Sequence, residues 1–289
     1  MKKKLKVLYD FCSGLFESMI SILSVIFFSS FKTNKYFKSE KKRRKDGDVC
    51  YILCNGPSLQ SLLESENVPN NNMFVVNFFA NTDVFFKIKP DNYFVLDNIL
   101  VGRAPKERME RAQTVVDQLY ENFAKVTWPM NLYYPSDGSK KVLSKILENK
   151  NITARIYNKT PVSGLKCLSH FLYRKNLGMP RPQNISNAAI FCAINSGYKK
   201  IYLYGVEHSW QKSFDVDPEN HKIYANDGHF YKKDNIRYYK RGDYCKLLLL
   251  HHLAFKSHFM LREYSDSVGT KIVNKTANSF IEAYEFGEY

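Results

Sequence analysis

The sequence predicts an α/β fold, a mostly parallel sheet with helices on both faces, and two observations carry that prediction. Short apolar runs end abruptly on polar residues at positions 54–55, 76–77 and 96–98, and stretches with helical spacing lie between or after them. The clearest run, Val49-Cys50-Tyr51-Ile52-Leu53-Cys54, stops at Asn55-Gly56-Pro57-Ser58 before Leu59, Leu62 and Leu63 mark a helix face. With 289 residues and 44% hydrophobic content the chain can bury a substantial core. One domain over residues 49–289 is therefore expected, preceded by a segment of different character.

That segment, residues 1–48, is set apart by charge. Twelve Lys/Arg stand against four Asp/Glu in residues 1–46, an excess of +8 within a net +15. Asp10, Ser13, Gly14, Glu17, Ser18, Ser21 and Ser24 recur at three- and four-residue steps through apolar surroundings, which predicts a helix with one polar stripe. The uncharged run 18–31 has fourteen residues, fewer than the roughly 20 that a spanning helix needs. Lysines flank it on both sides, so the positive-inside rule assigns no crossing direction. An amphipathic helix lying in the membrane interface fits best. A weak span, a secretory signal without an A-x-A cleavage site, and a helix packed on the protein's own core are the alternatives. Lys41-Lys42-Arg43-Arg44-Lys45 extends the basic surface to a linker at 46–48, and the adjoining apolar helix favours lipid headgroups over nucleic acid. An anionic membrane surface is the expected partner, and no nucleic acid.

Cys12, Cys50, Cys54, Cys167, Cys192 and Cys245 show no C-x-x-C spacing and mostly sit in apolar stretches, which points to reduced core thiols in a cytoplasmic protein. Cys50 and Cys54 fall on one strand face, where packing is favoured over metal binding.

In the opening βα unit Gly56 permits a tight turn, Pro57 fixes φ and Ser58 is a suitable helix N-cap, leaving backbone N–H groups that can receive an anion. A plain capped turn without ligand is the competing reading. Residues 73–76 read as a second strand closed by Asn77, and 92–96 as a third closed by Asp97-Asn98. In an open parallel sheet, ligands bind at those C-terminal ends, although Asn is also a common turn residue. Helices are expected over 105–124 and 139–149, with strands at 126–134 and 155–157, while 159–181 carries no interpretable motif. Residues 184–196 form a helix with a small-residue face, stopped by Gly197 and followed by a strand at 201–204. Glu207 then caps or braces the loop, and His208 is a base, a ligand or a satisfied loop histidine. Residues 211–241 lack period and read as a lid-like loop, before a helix around 246–255 in which His251 and His252 are structural. The tail reads as a strand over 269–274 and a helix over 277–284, whose Asn278 and Ser279 have simple capping as their plain reading.

Asn55-Gly56-Pro57-Ser58-Leu59 resembles the opening Asn-Gly-Pro-Ser-Leu of the bacterial lipooligosaccharide sialyltransferases, which use a CMP-activated sugar. The same signature also opens the pterin diphosphokinase-like proteins. The resemblance to the sialyltransferases returns at 184–207, where the family has a similar helix, a Gly-Tyr-Lys like Gly197-Tyr198-Lys199, a strand and a glycine like Gly205. It covers residues 49–102 and 184–285. It implies a Rossmann-like glycosyltransferase that moves sialic acid or a related acidic sugar from a CMP-sugar to a glycan or lipid-linked glycan acceptor. The implied reaction is metal-independent and inverting, with no cofactor beyond the donor; the basic amphipathic segment and the cysteine usage set the expected location as cytoplasmic, peripheral on the inner membrane face.

Residue by residue, the resemblance implies donor contacts at Asn55, Asn77 and Asn98. Gly56 and Ser58 belong to the turn facing the donor. Ser186 matches a family serine, with Asn187 standing where the family has glycine. Asn278 and Ser279 match the Asn-Ser that meets donor phosphate. The family's lid carries tyrosines and a catalytic histidine, which implies His229 as general base and Tyr224 and Tyr231 as hydrogen-bond donors to the departing phosphate. His208 is the rival base. A Mg-dependent phosphoryl transferase using Asp97 or Glu207, and a non-catalytic nucleotide-binding module, are the alternative functions.

Overall fold

A computed structural model describes residues 2–44, 48–65, 68–226 and 236–287. The chain opens with α1 (Lys2–Phe28) and α2 (Asn34–Arg43), then alternates β1 (Val49–Leu53), α3 (Leu59–Glu64), β2 (Met73–Val76), α4 (Val84–Ile88) and β3 (Asn92–Phe94). It continues with α5 (Lys106–Ala124), β4 (Met130–Pro135), α6 (Lys140–Ile146), β5 (Ile152–Tyr157), α7 (Lys166–Arg174), α8 (Ile185–Asn195) and β6 (Lys200–Tyr204). After a 3-10 turn at Trp210–Ser213 come β7 (Phe214–Val216), β8 (Ile223–Asn226), β9 (Ile236–Tyr238), α9 (Asp243–Ser267), β10 (Lys271–Asn274) and β11 (Glu285–Phe286).

Eight strands form one parallel sheet in the order β11-β10-β6-β1-β2-β3-β4-β5. The fold is Rossmann-like, as the βα alternation predicts. Side chains alternate across it: Cys50, Ile52, Phe74, Val76 and Phe94 enter one core with α8 and α9, while Leu53, Met73, Val75, Tyr93 and Val95 enter another with α3 to α6. Small residues on α8 (Ala188, Ala189, Cys192, Ala193) are wholly buried, so this helix lies close on the sheet. Burial pushes the free Cys50, Cys54 and Cys192 thiols up, so they stay protonated packing groups, whereas Cys12, Cys167 and Cys245 are exposed, which corrects their reading as core thiols.

Three sequence expectations are corrected. The described part of 211–241 is not without regular structure, because β7, β8 and β9 make a separate antiparallel sheet; residues 227–235 lie outside the described residues. Strands of three or four residues are too short to show a period of two. Residues 277–284 form no helix: Asn278 has φ 55°, and Ser279 Oγ, 2.6 Å from Val206 O, holds the segment as a turn leading to β11. Ser58 does not cap α3, because it is itself helical and its hydroxyl makes no capping bond.

The polar stripe of α1 exists and faces the domain. Ser18 Oγ accepts from Leu165 N at 2.9 Å, and Ser21 Oγ lies 3.0 Å from both N and O of Ser163. Gly164 permits this approach, since a Cβ there would sit 2.4 Å from Ser18 Oγ. Val25 and Phe37 are buried in the main core, while Leu8, Phe11, Phe16, Met19, Ile20, Leu23 and Phe27 are exposed.

Buried Asn158 joins this segment to the sheet. Its Oδ1 accepts from Ser30 N and Ser136 Oγ, both at 2.8 Å, and its Nδ2 is 2.8 Å from Ser30 O and Asn176 O. Replacing it strands several backbone groups. Asn158→Ala is expected to lower stability by about 2 to 3 kcal/mol, seen as a lower urea midpoint and faster proteolysis near residue 30; an unchanged midpoint would contradict the assigned role.

Candidate functional site

Strand order reverses between β1 and β6, so the crevice beyond their C-terminal ends is the topological switch point of the sheet. The turns leaving the two strands press together there. Gly56 N donates to Gly205 O at 3.0 Å, and a Cβ on Gly205, itself at φ 65°, would lie 2.3 Å from Cys54 O. Glu207 reaches across: Oε1 accepts from Ser58 N at 2.6 Å, and Oε2 occupies the space that a Gly56 side chain would need, 1.6 Å from its Cβ position. The carboxylate thus takes the helix-start N–H that the sequence offered to an anionic ligand. Two buried polar atoms beside it, Asn55 Oδ1 and Ser58 Oγ, have no hydrogen-bond partner among the described residues.

A cleft of about 580 Å³ opens above these turns, lined by Gly56, Ser186, Glu207, His208, Trp210 and Lys212 among others. Its floor is a buried polar network. Asn184 caps α8, with Oδ1 accepting from Asn187 N at 3.2 Å and Ser186 Oγ at 2.7 Å. Its Nδ2 therefore donates to His208 Nε2, which is the unprotonated ring nitrogen. His258 Nε2, 3.2 Å away, must then be the donor to His208, and His258 Nδ1 accepts from the Tyr284 hydroxyl at 3.0 Å. Burial, then the neighbouring His258 and His251, hold His208 well below the ordinary histidine range, and burial pushes His258 down to about 3. Both rings stay neutral, which makes His208 a hydrogen-bonding group and a poor proton acceptor. Trp210 covers it, with ring centroids 4.4 Å from His208 and 4.6 Å from His251.

A second cleft of about 740 Å³ adjoins the first, sharing Asn184 and Ile185 with it, over the C-terminal ends of β2, β3 and β5. Arg108, Lys159 and Arg181 line it against a single carboxylate, Asp97. Asp97 pairs with Arg108 at 3.2 Å, and Lys159 Nζ lies 3.1 Å from Asp137 and 3.3 Å from Asn98 Oδ1. Arg108 and Lys159 are thus each paired with a carboxylate, and Arg181 gives the cleft its positive excess, which suits an anionic group.

Of the predicted residues, Gly56 and Ser186 line the first cleft, and Asn77 and Asn98 the second. Asn77 sits at φ 48°, with Oδ1 accepting from Leu96 N at 3.3 Å, so it also shapes the strand end. Asn55 Nδ2 donates to Val76 O at 3.2 Å, joining the ends of β1 and β2. Asn278 and Ser279 line neither cleft, and Ser279 holds the β6 loop from behind. Tyr224 stands two residues, about 7 Å along a strand, from Asn226, the β8 residue that reaches the first cleft. Its hydroxyl is 3.4 Å from Asp215, which raises the phenol. His229 and Tyr231 lie outside the described residues. Sequence reasoning missed His258, although it repeats seven residues after His251 on one helix. It also missed Lys159, two residues beyond the end of β5.

Comparisons with protein-family models, with curated proteins and with solved structures returned no match. The chemistry of the clefts must be read from the chain itself.

The neutral histidine pair ties stability to pH. Unfolded histidines with the ordinary value of 6.5 bind protons that His208 and His258 refuse, so stability is full above that value and falls as pH drops below it. Each contributes a slope of up to about 1.4 kcal/mol per pH unit. Urea unfolding at about pH 5 and about pH 7.5 should show this loss, and His258→Phe should flatten it; a wild-type protein equally stable at both would contradict the network.

Proposed function

We propose that the chain is a CMP-sugar-dependent glycosyltransferase similar to the lipooligosaccharide sialyltransferases, transferring sialic acid or a related acidic sugar to a glycan or lipid-linked glycan acceptor. The observation that carries the reading is the pair of adjoining clefts at the switch point. One is floored by fixed neutral hydrogen-bonding groups and the other is rimmed by Arg108, Lys159 and Arg181. A nucleotide-activated acidic sugar has this composition, a stacking and hydrogen-bonding base with anionic phosphate and carboxylate groups. Asn55 and Asn77, joined through the Val76 carbonyl and the end of β2, stand at the strand ends where the resemblance expects donor contacts.

The low proton affinity of His208 leaves His229 as the base the reading favours, a role that comes from the resemblance alone. The base takes the proton from an acceptor hydroxyl as that oxygen attacks the anomeric carbon and the bond to CMP breaks. Tyr224 and Tyr231 are the residues the same resemblance offers to the departing phosphate, with Tyr224 requiring a shift of the β7–β9 sheet to arrive there. The Mg-dependent alternative needs free carboxylates. Asp97 is paired with Arg108, and Glu207 is engaged with Ser58 N.

The test is release of CMP from a panel of CMP-linked acidic sugars by purified protein, with and without chelator. Turnover that survives chelator is expected; chelator-sensitive ATP turnover without CMP release would favour the phosphoryl transferase, and neither activity the binding module. Asn77→Ala and Lys159→Ala should raise the donor KM. His229→Ala should lower kcat by roughly 10² to 10⁴, and His208→Ala by less, with thermal unfolding used to confirm that each variant is folded. If His208→Ala abolishes turnover while His229→Ala does not, the assignment of the base is wrong.

A further inference from the structure

A helix on a water-exposed domain ordinarily turns its apolar face inward and its polar face outward. α1 does the reverse. Its domain-facing positions are Gly14, Ser18, Ser21 and Val25, spaced by four, three and four residues, and Ser18 and Ser21 are hydrogen-bonded to the loop at 163–165. The residues between them are large, apolar and exposed: Leu15, Phe16, Met19, Ile20, Ile22, Leu23, Ile26, Phe27 and Phe28, with Phe31 at the following turn. Over 27 residues this face runs for about 40 Å. An apolar surface of that extent on a single element marks an interaction site.

Charge identifies the occupant. Lys3, Lys4 and Lys6 are exposed at one end of the stripe, and Lys32, Lys35, Lys38, Lys41 and Lys42 at the other, where α2 buries Phe37 inward and leaves its lysines out. Pairing with a second copy through this face would bring lysines against lysines in either orientation, a like-charge contact that opposes association. An anionic bilayer meets both features, taking the apolar side chains below its headgroups and the lysines at them.

We propose that α1 is an in-plane membrane anchor, seated on the domain by its serine stripe and buried in an anionic lipid surface by its outer face. The contacts themselves argue against a crossing helix. If α1 spanned the bilayer, the loop at 158–165 and its polar backbone, bonded to Ser18, Ser21 and Ser30, would have to enter hydrocarbon with it. The seat also sets the domain's orientation, because Asn158, bonded to Ser30, immediately precedes Lys159 of the second cleft. This inference stands independently of the reaction the clefts perform.

The test uses the full chain and no activity. Flotation with vesicles of phosphatidylethanolamine and phosphatidylglycerol should carry the protein up, phosphatidylcholine vesicles or high salt should weaken this, and Phe16→Glu with Phe27→Glu should abolish it while leaving the folded circular dichroism spectrum intact. In a background of Cys12→Ser, Cys167→Ser and Cys245→Ser, which removes the exposed thiols, Lys3→Cys and Lys32→Cys, made singly, should both react with an impermeant thiol reagent from the same side of sealed membrane vesicles. Reaction from opposite sides would mean a span. Failure to float overturns the proposal, and so does a dimer dispersed by Phe16→Glu with Phe27→Glu, which would mean that the apolar face meets protein.

Discussion

The close seating of two glycine turns is the constraint on which the site depends. The Gly56 amide bonds the Gly205 carbonyl, and the Glu207 carboxylate lies where any side chain on residue 56 would be, holding the Ser58 amide. Adjacent parallel strands β1 and β6 must send their chains to different places at the switch point, and this clamp keeps their ends together while they diverge. Because Glu207 satisfies the helix start, an anionic ligand has to be met elsewhere on the edge. The cations that line the second cleft stand there.

Beneath the first cleft, the chain from Asn184 through His208 and His258 to Tyr284 ties together α8, the β6 loop, α9 and the C-terminal segment. Each donor finds one acceptor, and the low dielectric that keeps both rings neutral also strengthens their bonds. Such a network supports a rigid floor rather than a proton relay.

Much of the framework was legible. The end of β2 at Asn77, the small-residue face of α8 and the stop at Gly197 follow from patterns local to a few residues, while β3 ends at Phe94, short of the expected 96. What escaped depended on distant partners. Ser58 has the right identity for a cap, yet Glu207, distant in sequence, takes its amide, so the local rule lost to a tertiary contact. The Asn278-Ser279 pair reads as a helix start, and the Val206 carbonyl turns it into a bend instead. The stripe on α1 was readable as polar, while its direction was not, because only the loop at 163–165 shows which side faces the domain. His258 carried no local signal beyond its spacing from His251.

The account stands on the C-terminal edge of the sheet being a nucleotide site, with the two clefts as its halves. A crystal structure of the protein soaked with CMP tests this most directly. The account predicts density for the nucleotide across the ends of β1 and β6, within hydrogen-bond reach of Asn55 or Asn77 and with its phosphate toward Lys159, Arg181 or Lys212. Density for CMP away from that edge, or none at saturating concentration while the edge remains open to solvent, would contradict it.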